Sequence, residues 1–441
     1  MPELETADPK TIEKSVVKKI MLGLVPFLAV LYTLNILDRG NVGIASLTML
    51  QDLGLKDTIY GMGAGIFFVG YFIFEVPSNL IMEKVGAKRW IARIMISWGI
   101  ISACMLFVKT PFSFYSLRFL LGVAEAGFYP GIILYFTYWV PPSIRAQVIS
   151  RFLALTTIYG LVGGPLGGAL LKMNGFAGLH GWQWLFLLEG IPSILLGFVV
   201  LIFLPDSPAK SSWLSVDEKA WIQSEIEKTG TNAHNVNHLS LKEILSDPRV
   251  IHLCAIFFVT ATAGNAVGFY VPKLLQMRSG GTWSDSFISN ISTIPGIFGA
   301  SAMMIAAVHS DRTGNRKWHI TLGYLVAAIG YLGCIFSPNS YWVILALSIY
   351  TVGERVAAGS YWAQTTNLLG SRAAAGGIAF INSVGNLGGF FGPNLMAQTR
   401  ERTHGGLTTG LVCAFSLMIV GVILSSFLKN RPLTEPDALI K

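Results

Sequence analysis

Four ionisable side chains stand in stretches that are otherwise apolar. "TLNILDRGNVG" begins at Thr33 and sets Asp38 beside Arg39, and "LRFLLGVAEAGFYPG" (117–131) carries Arg118 and Glu125. A charge at the centre of a membrane helix costs roughly 2.5–3.5 kcal/mol on insertion scales, so each such residue is a functional candidate. A guanidinium grips a carboxylate through two parallel hydrogen bonds, and a buried carboxyl is suited to taking up and losing a proton. Fixed cations beside protonatable acids suit proton-coupled uptake of an anion. The alternative is structural, with two ion pairs pinning two spans together. Function is favoured, because an ion pair that only holds helices together is usually replaceable by apolar packing.

Helical spacing groups these residues. Tyr32, Asn35 and Arg39 lie at i, i+3 and i+7 on one stripe, with Asp38 about 100° around the helix. Arg118, Gly122, Glu125 and Tyr129 line one face by the same rule, and Gly122 leaves space between the two charges. Further candidates for a substrate site are Asn265 in "GNAVGFY", Ser360, Tyr361 and Trp362 in "GSYWAQTT", and Asn382 in "INSVGNLGGFFGP". Glu354 and Arg355 repeat the acid-then-arginine pair and either reach a central cavity or form a local gate. Glu75, just before Pro77, reads as part of the neighbouring loop machinery.

The elements that must position these groups are membrane helices. The chain has 441 residues, 52% hydrophobic and 13% charged, with mean hydropathy +0.57. A soluble domain carries about 25% charged residues. Runs long enough to span lie near 20–45, 59–82, 90–108, 112–139, 150–172 and 183–204. Six more lie near 250–275, 288–308, 318–337, 341–369, 374–397 and 406–428. The expected fold is therefore an all-α integral membrane protein of twelve transmembrane helices in two pseudo-symmetric six-helix bundles. An N-terminal tail (1–19), a first bundle (20–204), a linker (205–249), a second bundle (250–428) and a C-terminal tail (429–441) follow in order. The linker holds one amphipathic helix, about 215–228. The first apolar run follows a charged tail with no small-residue cleavage site, so it reads as span one and not a removable signal.

With the N-terminus inside, roughly 22 lysines and arginines fall on cytoplasmic segments and about 7 on outer loops, which places both termini and the linker in the cytoplasm. The net charge of +8 is thus a topology signal and no nucleic-acid partner is implied. Cys104, Cys254, Cys334 and Cys413 show no CxxC spacing, and neither disulfides nor a metal site is indicated. "MEKVGAKRW" (82–90) and "HSDRTGNRKW" (309–318) occupy equivalent loops of the two halves. Glu83 and Asp311, with Arg89, Arg312 and Arg316, are candidate gating charges that hold one state and release as the halves rock. No HExxH, GxSxG, GxGxxG or P-loop is present, so no enzyme is indicated and no cofactor is expected beyond protons as coupling ion.

"LDRGNVGIA", "GYFIFEVPSNLI", "GAKRWIARIM", "RFLLGVAEAGFYPG", "HGWQWLFLLEGIPS" and "INSVGNLGGFFGP" together resemble the anion:cation symporter family of the major facilitator superfamily, over about 18–428. The similarity is to the bacterial tartrate, phthalate, 4-hydroxyphenylacetate and sugar-acid permeases. It implies a monomer in the bacterial inner membrane, with Asp38 and Glu125 carrying protons and Arg39 and Arg118 holding the substrate carboxylate. Asn382 and the stretch Ser360 to Trp362 then match the family's polar positions in spans eleven and ten. Ile36 departs from a tyrosine usual there, Glu354 and Arg355 replace small neutral residues, and Glu83-Lys84 replaces Asp-Arg. A proton-driven drug or metabolite exporter on the same fold is the competing expectation, since "GLVGGPLGG" (160–168) falls one residue short of an antiporter motif.

Overall fold

The computed structural model describes residues 9–156, 159–233 and 246–428. Helix dominates them, as the composition demands. In hydrocarbon no water bonds the backbone, and a helix satisfies its N–H and C=O groups internally. α1 (Pro9–Lys19) passes through a π-helical turn (Ile20–Leu24) into α2 (Val25–Asp52). α3 (Asp57–Val85), α4 (Ala87–Cys104), α5 (Pro111–Glu125), α6 (Phe128–Trp139), α7 (Pro142–Thr156), α8 (Tyr159–Leu171) and α9 (Gly181–Phe203) complete the first group. α10 (Val216–Ala233) is the linker helix. The second group is α11 (Pro248–Gly268), α12 (Val271–Arg278), α13 (Asp285–Ile291), α14 (Ile294–Thr313), α15 (Arg316–Ile335), α16 (Ser340–Asn386), α17 (Gly388–Arg402) and α18 (Thr408–Ser426).

Among the described residues, 11 helical stretches are long and apolar enough to cross a membrane, against the twelve expected. The missing one is 374–397. It is divided at Leu387 between α16 and α17, and Asn382, Asn386 and Asn394 lower its apolar content. The hydropathy pattern also places a loop at 370–373, yet helical backbone continues through it as part of the 47-residue α16. The alanine-rich "SRAAAGG" there favours helix over loop.

The expected continuous span four is likewise two helices. Pro130 lacks an N–H, and its ring would strike the carbonyl of Ala126 in an unbroken helix. The chain leaves the helix at Ala126 (φ −55°, ψ 130°) and turns through Gly127 (φ +84°) into α6. A side chain at Gly127 would be strained by that φ and would strike Ser78 Oγ. The break leaves Glu125 as the last residue of α5, at about 21 Å from the start of that helix. Thr110 and Ser113 cap the start of α5 reciprocally, with Pro111 at its first position.

The face where α1 lies and α3 ends carries the first described residues and is here the terminal face; α2 ends and α3 begins at the opposite face. On the terminal side α10 docks against α1. Glu218 accepts hydrogen bonds from Lys19 Nζ and Ser15 Oγ, both at 2.7 Å, and from the Ser215 N–H at 2.8 Å. Burial by itself would raise the Glu218 carboxyl, but the bonds from Lys19, Ser15 and Ser215 and the Lys19 charge outweigh it and hold it at about 2. A carboxyl held below its ordinary 4.5 stabilises the docked state above that pH and loses its contribution only as pH falls toward about 2. Limited proteolysis of α10 should therefore proceed at one rate from neutral down to mildly acidic pH, and Glu218→Gln should accelerate it at neutral pH.

Candidate functional site

Arg39 of α2 meets Glu125 at the broken end of α5. Its Nε donates to Glu125 Oε2 at 2.8 Å, and Asn35 Nδ2, one turn away, donates to the same oxygen at 2.6 Å. Asn35 and Glu125 are fully buried, whereas the Arg39 side chain is 24% exposed. The guanidinium lies 4.6 Å from the Tyr71 ring centroid and 5.3 Å from that of Phe67, both on α3. Arg118 lies against the same Phe67 ring at 4.9 Å, fully buried, and donates to the carbonyls of Gly63 (3.2 Å) and Ala64 (3.5 Å).

Each guanidinium keeps one nitrogen uncommitted. Arg39 Nη2 and Arg118 Nη1 are buried with no hydrogen-bond partner among the described residues, as is Glu125 Oε1. Buried donors are nearly always paired, so two open guanidinium donors bordering one aromatic ring stand out among the described residues. Gly122 has a different use from the one its spacing suggests. A Cβ there would strike the Phe67 carbonyl, so it brings α5 close against α3 and does not open space between Arg118 and Glu125. Glu125 pairs with Arg39, not with the arginine of its own helix.

Asp38 points away from this pair. It is fully buried, and its Oδ1 takes hydrogen bonds from Ser102 Oγ of α4 and from Asn41 Nδ2 at 3.1 Å. Tyr32 and Tyr129 are brought together, 5.1 Å between centroids, but inside an aromatic cluster with Phe128 and Phe152. Thus the Tyr32–Asn35–Arg39 stripe divides between ring packing and the ion pair.

The candidates of the second group sit elsewhere. Asn265 donates to Ala261 O at 2.8 Å within its own helix. Ser360 faces Ser310 at 3.5 Å, Tyr361 donates to Leu253 O at 2.8 Å, and Trp362 packs edge-on against Phe257. These contacts pack α16 on α11 and α14. Arg355 contacts Glu354 at 3.3 Å, and its side chain is 56% exposed. Glu83, Arg89 and Arg312 are exposed, and no ion pair forms at any of them among the described residues; Arg316 Nη1 donates to Ala363 O at 2.9 Å. The Asp311 side chain lies outside the described residues.

Asn382 is joined to a partner that spacing did not suggest. Its Nδ2 donates to Glu75 Oε1 at 3.1 Å, and Ser383 Oγ donates to Glu75 Oε2 at 2.9 Å. Glu75, buried about 27 Å along α3 from the opposite face, thereby ties the first group to the second. It does not belong to the neighbouring loop. Toward the opposite face, Asp57 pairs with Arg400, Tyr60 Oη donates to Phe269 O at 2.8 Å, and Ser289 Oγ donates to Gly164 O at 2.8 Å. Cross-group contacts therefore lie on both sides of Arg39. Phe67 and Tyr71 were missed from the sequence, although 67, 71 and 75 are spaced i, i+4, i+8 on one face of α3. Glu189, an acid inside "WLFLLEGIPS", was missed although the rule that picked out Asp38 applies to it equally.

Membrane-crossing helices in two groups, with buried ionisable residues deep in the first and Glu75 joining it to the second, define a multi-pass membrane transporter rather than an enzyme. The chain belongs to the Major Facilitator Superfamily, whose family model matches residues 28–393. It is 44% identical to the "Putative tartrate transporter" of Agrobacterium vitis, over 97% of this chain and 96% of that protein. It is 38% identical to the "Quinolone resistance transporter" of Acinetobacter baumannii, over 94% of each. The fold is similar to the crystal structure of a bacterial homolog of the human lysosomal transporter Spinster in its inward-facing, unoccupied conformation. That likeness has TM-score 0.75 at 17% identity and covers 96% of this chain and 99% of that one.

The Arg39–Glu125 pair makes a stability prediction. Removing one partner leaves an uncompensated buried charge, a loss on the order of 3 kcal/mol. Arg39→Ala should lower the melting temperature of the purified protein clearly, and adding Glu125→Gln should restore a large part of it; additive losses in a double-mutant cycle would show that the pair is not coupled.

Proposed function

We propose that this protein is a proton-coupled importer of a small organic anion, working by alternating access in the cell membrane. The observation that carries the reading is the pair of guanidiniums, Arg39 and Arg118, each with an open donor beside Phe67. Such donors suit a carboxylate, and the rings of Phe67 and Tyr71 supply an apolar surface beside it. The names of the two relatives agree on this chemistry. Tartrate is a hydroxylated dicarboxylate, and quinolones carry a carboxylate on an aromatic ring system.

Coupling follows from competition for Arg39. While Glu125 is ionised it holds the Arg39 Nε at 2.8 Å. A proton on Glu125 weakens that bond and releases the guanidinium to a substrate carboxylate, so proton and anion are taken up together. Asp38 is the second proton carrier, and Arg355 presents a further positive charge from the second group. Rocking of the groups then exchanges the opposite-face contacts (Asp57–Arg400, Tyr60–Phe269, Ser289–Gly164) against the Glu75–Asn382–Ser383 bridge. The positive-inside bias makes the terminal face cytoplasmic. The working unit is a monomer, and protons serve as the coupling ion.

The second reading, export, is favoured by the quinolone-resistance name of the A. baumannii relative. Proteoliposome assays separate the two. Counterflow with L-tartrate, an aromatic carboxylate, a sugar acid and a quinolone, with and without a pH gradient, should show acid-driven accumulation of at least one carboxylate. Arg118→Ala should reduce that uptake on the order of 10–100-fold, the loss of a charge-assisted hydrogen bond. Asp38→Asn should keep exchange but lose proton-driven accumulation. Transport of the quinolone alone, driven by an opposite gradient, would overturn the importer reading.

A further inference from the structure

Behind the Arg39–Glu125 pair lies a second set of buried acids. Glu189 of α9 is 4% exposed, Asp38 is fully buried, and Asn41, one turn beyond Asp38 on α2, is 1% exposed. Asn41 bonds Asp38 Oδ1 at 3.1 Å and lies beside Glu189 on α9, the helix that packs against α2. Three oxygens in this cluster, Asp38 Oδ2, Asn41 Oδ1 and Glu189 Oε2, are buried with no donor among the described residues. The Ser102 hydroxyl and one N–H of Asn41 both go to Asp38 Oδ1.

Among the described residues the surroundings supply no counter-ion in contact. Of the helices packed against α9, α8 carries no charged residue and α4 carries Lys88, Arg89 and Arg93 only in its first turns at the terminal face. α2 brings Asp38 itself. Arg118 forms no ion pair with Asp38 among the described residues; its Nε and Nη2 donate to Gly63 and Ala64. Two buried carboxylates without a paired cation cannot both be ionised cheaply, and like charges sharing a site retain a proton. A metal cation would need more oxygens than the three left open. Among the described residues, moreover, no group of three or more His, Cys, Asp or Glu could hold one.

We propose that Glu189 is a further proton-holding residue of the transporter, forming with Asp38 an Asn41-bridged carboxyl pair that carries one proton and is separate from the Arg39–Glu125 anion site. With the proton on Glu189, its O–H donates to Asn41 Oδ1, and the Asn41 amide donates in turn to ionised Asp38. With the proton on Asp38, the O–H bond is at Oδ2 and Glu189 takes the charge. Along their helices Glu189, Asn41 and Asp38 lie at about 12, 16 and 21 Å from the opposite face, a graded series into the site. The inference rests on the reading of Asp38 as a coupling residue, but its test needs no substrate.

The test is infrared difference spectroscopy of the purified full-length protein, following the C=O stretch of protonated carboxyls as pH is changed. Wild type should show a buried protonated-carboxyl band near neutral pH. Glu189→Gln should remove that band, Asn41→Leu and Asp38→Asn should shift it, and Glu125→Gln should leave it in place. A band that survives Glu189→Gln, or one that vanishes only in Glu125→Gln, overturns the proposal. Gln keeps the shape of Glu189, and the Asn41→Leu shift gives a second reading that does not require altering the acid. If the band behaves as expected while transport ignores the pH gradient, the carboxyl pair stands and the proton-coupled reading fails. Gradient-driven transport with a band indifferent to Glu189→Gln gives the reverse.

Discussion

The Arg39 guanidinium, set among apolar helices, meets its counter-charge in Glu125. The rest of the first group is arranged around it. Pro130 and Gly127 break span four so that Glu125 ends a helix at mid-depth, and Asn35 fills a second lone pair on the same carboxylate oxygen. Phe67 and Tyr71 form the wall on which the guanidinium rests. Gly122 brings α5 against α3, so that wall and carboxylate belong to neighbouring helices. The pair satisfies only part of each ion: Arg39 Nη2 and Glu125 Oε1 stay without a partner among the described residues.

The same economy of charge organises the contact between the two groups. Among the described residues Glu75 has no cation in contact; its two oxygens take bonds from Asn382 and Ser383 of α16 instead. A carboxylate bound only to neutral donors across a group boundary is a weaker tie than an ion pair. On the opposite face the Asp57–Arg400 pair sits near the helix ends, where water limits the value of a salt bridge. Arg355 extends the logic to the second group. A guanidinium 56% exposed at the middle of a membrane helix must border an aqueous space rather than lipid.

How far the sequence could be read differed by residue. The charged positions were legible because hydropathy makes any intramembrane ion conspicuous, and Asp38, Arg39, Arg118 and Glu125 all prove to be deep in the first group. Their pairing was not legible. Helical spacing joined Arg118 to Glu125 and Tyr129, but the proline break turns Tyr129 into a ring cluster with Tyr32, and Glu125 crosses to Arg39. Tyr361 and Trp362 had the right residue types for a binding site, yet their contacts lie with α11. Spacing alone cannot tell a polar group that lines a site from one that fixes a helix to its neighbour.

The sequence by itself determined the membrane class, the helical content, the bias in basic residues and the inventory of buried ions. All of these follow from the cost of placing each residue type in hydrocarbon, which depends on the residue and its near neighbours in the chain. Only the tertiary structure decided which acid neutralises which arginine, that Glu75 and Asn382 join the two groups, and that Glu189 lies beside Asp38 and Asn41. Those outcomes depend on the rotation and height of each helix relative to the others. These are fixed by close packing and helix breaks summed over the whole bundle, and no single helix carries that information in its own periodicity.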